Sequence, residues 1–307
     1  MATQISKEEQ LALRLGATKQ LANFGIEPLS NKWLHKLGEV NVASTNLADR
    51  NISEAAFIMN ASSIDQITAA TLLLAAGPAI SPLGLIGPVN TILRTQLETY
   101  WILHHLLKDP STRHKYCTMY MLANAHLRYE HSLVEIESDR TWDEPTKAQK
   151  RKEADEQLDS ILSSPHYDQA KSDYNDALGR KLYIDWYKVY RVSVGGSNPK
   201  KPTLEDLAKL AGDEKAYKEE YHHWSGVAHG LAPDIGHEAP SSSSTSGTRK
   251  MSPQEAVLCA GYIASLGIRT YTLLISTLLP EYATDYNNFL AGVTLEKGKS
   301  LAEWLYS

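Results

Sequence analysis

Cysteine is nearly missing from this chain: 307 residues contain two, Cys117 and Cys259. Both fall inside apolar helical patterns, where a free thiol behaves as a small core residue, and the pair excludes a disulfide framework. That usage fits a reducing compartment. The polar opening MATQISKEEQ has no leader-peptide pattern, so a cytoplasmic protein is expected. Also lacking is any Lys/Arg block long enough to follow a phosphate backbone, on a chain whose net charge is −5. This argues against duplex DNA as the main partner. There is no P-loop, no G-x-G-x-x-G after a strand, no G-x-S-x-G elbow and no Cys-x-x-Cys pair. Nucleotide-hydrolase and redox-cofactor classes are therefore disfavoured, and no cofactor is expected.

What is present is helical periodicity, with no convincing alternating strand. It places helices near 5–23, 30–48, 52–76, 85–108, 111–138, 145–163, 168–190, 203–210, 213–229, 252–279 and 281–305. The expected fold is all-α, a multi-helix bundle in a single helical domain spanning 1–307. Two segments interrupt the pattern. Gly77–Pro88 is an apolar loop that could serve as a lid, a homodimer contact or a core loop. Ala239–Arg249 reads by composition as a flexible linker.

Val257–Leu279 is apolar and long enough to span a bilayer. Arg269 lies near its centre, where a charge would cost roughly 2.5–3.5 kcal/mol, and small and polar residues recur around it. The segment therefore reads as the central helix of the bundle, about 252–279, with no membrane. Arg269 then needs an acid partner, with Glu220, Glu130 and Glu98 as candidates, unless it snorkels to the surface.

On a wheel of 100° per residue, the 213–229 helix gathers Ala216, Tyr217, Trp224, Val227 and Ala228 into an apolar arc. Glu220 falls inside that arc. It must be paired or protonated if the helix lies deep, and reaches solvent if the helix lies shallow. Tyr221, Ser225 and His229 follow one another at i, i+4 and i+8 on the opposite side, where Gly226, Ala228 and Gly230 leave room for a helix or a ligand. Asp213 reads as the cap of this helix. On the 85–108 helix, Arg94 and Glu98 share an arc that also fits a plain solvent face.

The segments LRTQLETYWILHHLLKDP (93–110), followed by Arg113, and YHHWSGVAHG (221–230) together resemble an uncharacterised family of helical bacterial proteins of actinobacterial type. Its members pair an R-x-x-x-E helix with a later Y-x-x-x-S-x-x-x-H-G helix. The resemblance selects Arg94, Glu98, Tyr221, Ser225 and His229 as the site and implies no particular activity. A looser resemblance is to HEPN bundles, many of them metal-independent ribonucleases. Those use an Arg and a His four to six residues apart on one helix. No such pair falls on a helix drawn here, so the resemblance implies either no nuclease centre or one rebuilt from Arg94 and His229 on separate helices.

Three functions are compatible with these residues. The first is an enzyme acting on RNA, a nucleotide or another phosphorylated small molecule. In it, Arg94 holds a phosphate, His229 is general acid/base, Glu98 orients one of them, and Tyr221 or Ser225 supplies a hydrogen bond. The second is a metalloenzyme of the di-iron kind, with Glu220, His223, His126 and Glu130 as Fe or Mn ligands, although only one E-x-x-H motif is suitably placed. The third is a non-catalytic binding or regulatory protein in which the polar residues form a buried network.

Overall fold

The computed structural model describes residues 6–43, 47–80, 86–181, 184–228, 252–296 and 299–301. The expected linker at 239–249 lies outside them. The chain is all-α, as its periodicity predicts. Its helices are α1 (Lys7–Phe24), α2 (Ser30–Ala43), α3 (Leu47–Ile80), α4 (Ile86–Leu107), α5 (Pro110–Ser138), α6 (Glu144–Leu162), α7 (Asp168–Leu178), α8 (Leu204–Leu210), α9 (Glu214–Ala216), α10 (His222–Ala228), α11 (Pro253–Leu278) and α12 (Ala283–Gly292). Two short strands, β1 (Thr294–Glu296) and β2 (Lys299–Ser300), pair antiparallel after α12.

Local chemistry accounts for several helix ends. At α1, Ser6 accepts from the Glu9 amide while the Glu9 carboxylate accepts from the Ser6 amide; Ser252 and Glu255 repeat the arrangement at α11. Each box satisfies two backbone donors that the first turn would leave open. Asp109 and Asp143 cap α5 and α6, each just ahead of a proline in the first turn, where a missing N–H costs nothing.

Three expected boundaries move. The helix expected at 168–190 stops at Leu178, because Gly179 takes φ +55, the left-handed ending that glycine adopts without a Cβ clash. The helix expected at 281–305 ends at Gly292, and Val293 turns extended and buries to 2% exposure. The 77–88 segment is not all loop: helical backbone runs through Gly77–Ile80 and resumes at Ile86. A proline in a last turn forfeits one hydrogen bond, and α3 ends two residues after Pro78.

The contacts group into two compact units, a subdivision the hydropathy pattern does not mark. The first comprises 1–35, 56–108 and 207–307. At its heart is α11, which buries fifteen of its residues, among them Ile263, Leu266, Ile268, Tyr271, Leu274 and Ile275. It is long and apolar enough to cross a membrane, and 67% of its most apolar stretch is buried inside the protein. Leu21, Trp33, Ile67, Leu93, Trp101 and Leu103 are fully buried in the same unit. Each large apolar side chain so buried contributes roughly 1.5–3 kcal/mol. Close approach depends on glycine at two points. A Cβ on Gly267 would stand 2.6 Å from Leu21 Cδ2 and 2.8 Å from Ile67 Cδ1, and a Cβ on Gly25 would collide with the Tyr271 hydroxyl.

The second unit comprises 36–55 and 109–206. Met119 and Leu122 of α5, Ala170 of α7 and Val189 form its core, with Trp186 and Tyr190 packed against them. These last aromatics lie beyond Gly179, so the break in the expected helix is what lets the chain fold them back onto α5.

Candidate functional site

Arg94, Glu98 and Tyr221 meet along the seam of α4 with the 213–228 run, which is not a regular α-helix throughout. Between α9 and α10, residues Tyr217–Tyr221 form a π turn. The extra residue in that turn rotates everything after it by about 100° relative to an α-helix. Tyr221, expected opposite the apolar arc, instead stands one helical turn after Tyr217 on the same face, about 40° away at 100° per residue, and is buried to 7% exposure. Its ring stacks on Tyr217 at 5.2 Å and 13°, and both rings tilt against Trp101 of α4, at 5.5 and 5.8 Å.

The Tyr221 hydroxyl donates to Glu98 Oε1 at 2.8 Å, and Arg94 Nε donates to the same oxygen at 3.0 Å. The Arg94 guanidinium also lies 5.4 Å from the Tyr221 ring centroid, a cation–π distance. Arg94 and Glu98 retain 24% and 26% side-chain exposure, so the pair is neither buried nor a free surface pair. Burial and the Glu98 carboxylate push the Tyr221 phenol up to about 12. Burial works against the Arg94 charge, but Tyr221 and Glu98 outweigh it and hold Arg94 above its usual value.

A second node lies on the same α4 surface. Arg269 Nη2 donates to Asp213 Oδ2 at 2.7 Å, and Trp101 Nε1 donates to that oxygen at 2.9 Å. The acid partner of Arg269 is thus Asp213, not Glu220, Glu130 or Glu98. Asp213 is not a side-chain cap either: it occupies the N-cap position of α9 without a capping bond, its carboxylate being spent on Arg269 and Trp101. On its other side the guanidinium lies 4.2 Å from the Tyr100 centroid. Sequence reasoning missed Asp213 in this role. The available signal was the buried indole of Trp101, whose N–H needs an acceptor that α4 does not supply.

The remaining candidates fare unevenly. Ser225 is half-buried on α10, and His229 lies outside the described residues. Glu220 is half-buried; Tyr262 donates to its Oε1 at 3.1 Å, and its enclosed Oε2 has no hydrogen-bond partner among the described residues. Burial, with Glu220 beside it, pushes the Tyr262 phenol up to about 12. His223 is exposed. In the second unit, His126 and Glu130 are exposed on α5. Among the described residues no group of three or more His, Cys, Asp or Glu side chains converges as a metal site would require.

Two cations and two carboxylates, interleaved with aromatics along α4, make the seam formally neutral and internally hydrogen-bonded. Fold and site together define a helical bundle with an inter-helix Arg/Glu/Tyr network. The chain belongs to the family of unknown function DUF5677, whose model matches residues 61–239, more than half its length. That segment holds Arg94, Glu98, Asp213 and Tyr221 but ends before α11, so Arg269 lies beyond it. No curated protein and no solved structure matches the chain.

Proposed function

We propose that this is a binding or regulatory protein, and that the Arg94–Glu98–Tyr221 network sets the register of the 213–228 run on α4 and α11 without performing chemistry. One observation carries the reading: single carboxylate oxygens of Glu98 and Asp213 each accept two donors, so the four charges of the seam neutralise one another within the fold. A general base needs a free lone pair and a pKa near the working pH. Tyr221 at about 12 is far from that range. A shared network of this kind suits the specification of a single helix register.

The test is a turnover assay on RNA, nucleotides and phosphomonoesters, with wild type, Arg94→Ala, Glu98→Gln and His229→Ala. No turnover by any of them is the expected result, with Glu98→Gln losing stability instead. Turnover by the wild type that folded Glu98→Gln or His229→Ala proteins lack would replace the reading with the enzymatic one, a HEPN-like ribonuclease included. Metal analysis of the purified protein is expected to find well under one equivalent of Fe, Mn or Zn. A stoichiometric metal lost on Glu220→Gln would establish the di-iron alternative.

A further inference from the structure

The seam continues past Arg269 into a groove of about 580 Å³, within the range of small-molecule sites. It runs between α4, α11 and α12, and its walls are mainly apolar, including Leu273, Ile275 and Leu290. The polar groups are few and share a character. Lys108 and Arg269 are the charged residues that line it, with no Asp or Glu among them, and His104, Thr272, Ser276 and Asn287 supply further hydrogen-bonding groups. Lys108 is exposed and has no ion-pair partner among the described residues. His104 is buried to 6% exposure yet lines the groove.

A groove with apolar walls, two cations and no carboxylate of its own favours a ligand with a negative head and an apolar body. Arg269 is partly neutralised by Asp213, so Lys108 is the charge left for a ligand. We infer that this groove binds a small organic oxyanion, its phosphoryl or carboxylate head at Lys108 and Arg269 and its apolar part along Leu273, Ile275 and Leu290. The inference rests on the binding reading above and gives it a ligand class. The groove also combines residues on both sides of the family boundary: His104 and Lys108 lie inside the matched segment, while Arg269, Thr272 and Asn287 lie beyond it.

The electrostatics of His104 supply an independent readout. Burial, and then the charges of Lys108 and Arg269, hold its imidazole down at about 4, against a smaller upward pull from Asp213. The other groups near it are Tyr100 and His105 on α4, and Tyr286 facing the groove from α12. An anion beside Lys108 and Arg269 would offset their effect and raise the imidazole, so the His104 resonance should titrate at higher pH in the complex than in the free protein.

The experiment is titration of the full chain with phenyl phosphate, inorganic phosphate, benzoate and neutral benzyl alcohol. Calorimetry gives affinity, and the imidazole resonance of His104 reports the place. Saturable binding of phenyl phosphate or benzoate, with the His104 resonance moved, benzyl alcohol inert and affinity at least tenfold weaker in Lys108→Ala, is the expected result. The stronger of the two aromatic anions identifies the head group. Inorganic phosphate should bind more weakly than phenyl phosphate because it leaves the apolar wall empty. No saturable binding by either aromatic anion, or binding that Lys108→Ala and Lys108→Glu leave unchanged with His104 unmoved, would overturn the inference. The failures are separable: phenol released from phenyl phosphate in an Arg94- or Glu98-dependent way would refute the non-catalytic reading, whereas absent binding without turnover refutes the groove alone.

Discussion

Arg269 and Asp213 meet at 2.7 Å across 56 positions of sequence, tying α11, with its fifteen buried residues, to the start of the run that carries Tyr221. Their side chains keep 28% and 12% exposure, so water screens the pair incompletely. Replacing one member therefore leaves the other charge poorly solvated. Asp213→Asn should destabilise the protein by about 2–3 kcal/mol in urea unfolding, below the range for a fully buried pair because part of Arg269 reaches solvent. Adding Arg269→Met should restore at least about 1 kcal/mol of that loss, as a coupling energy in a double-mutant cycle. Strict additivity of the two changes would show that the contact carries no energy.

The Glu98–Tyr221 bond makes an alkaline prediction. Burial and the Glu98 charge raise the Tyr221 phenol to about 12, against about 10 in an unfolded chain. The native state thus holds that proton more tightly. The resulting stabilisation is fully present below pH 10 and is lost as pH rises through 12. Ultraviolet titration should show the late-ionising tyrosines, Tyr262 among them, one fewer in Tyr221→Phe than in the wild type, and Glu98→Gln should move one of them to lower pH. Tyr221→Phe should cost about 1 kcal/mol at pH 7, the net worth of one hydrogen bond to a charged group that stays partly hydrated. A Tyr221 that ionises near 10 in the wild type would mean the bond does not persist in solution.

The all-α architecture and the central place of α11 were legible because period-3.6 hydropathy reports directly on burial. Arg94 and Glu98 were legible as a pair because helical spacing alone brings i and i+4 together. Tyr221 was placed on the wrong face because it was grouped with Ser225 and His229 by i, i+4, i+8 spacing, although the same spacing sets it one turn after Tyr217, about 40° away on the wheel and beside the apolar arc. Arg269 was rightly seen to need an acid, but pattern alone cannot select among distant carboxylates. Asp213 looked like a cap, since Asp before a helix usually is one, and only packing shows that Trp101 and Arg269 claim its oxygen. The breaks at Gly179 and Gly292 were missed for a related reason: each glycine sits within an otherwise periodic run, and the aromatics beyond Gly179 continue the pattern in composition without continuing the helix.

An acid-side dependence follows from the two adjacent histidines of α4. Burial, with the cations Lys108 and Arg269, holds His104 at about 4, and burial with its neighbour His104 holds His105 at about 4. An unfolded histidine titrates near 6.5. Depressed native values mean that the unfolded chain takes up protons first. Their contribution to stability is present above pH 6.5 and is lost as pH falls through 4. Between pH 6.5 and 5, above the range of most carboxylates, urea midpoints should fall steadily, and His105→Leu should flatten that slope. An imidazole resonance from either residue titrating near 6.5 in the folded protein would contradict the burial that causes the shift.

Glycine substitutions can separate close packing from helix propensity within one unit. Gly16 and Gly267 both lie inside helices, α1 and α11. A Cβ on Gly16 would have nothing within 4 Å, so Gly16→Ala should gain roughly 0.5–1 kcal/mol from the smaller entropy lost on folding. A Cβ on Gly267 would stand 2.6 Å from Leu21 and 2.8 Å from Ile67, two side chains that are fully buried and have little room to retreat. Gly267→Ala gains the same propensity but must force those side chains apart, a strain of about 1–3 kcal/mol. The net change should be destabilising, opposite in sign to Gly16→Ala in the same urea experiment. The companion change Ile67→Val should recover part of the loss, because it removes the Cδ1 methyl that stands nearest on the α3 side. If Gly267→Ala stabilises the protein as Gly16→Ala does, α11 does not pack against α1 and α3 at this distance, and the central position of that helix fails with it.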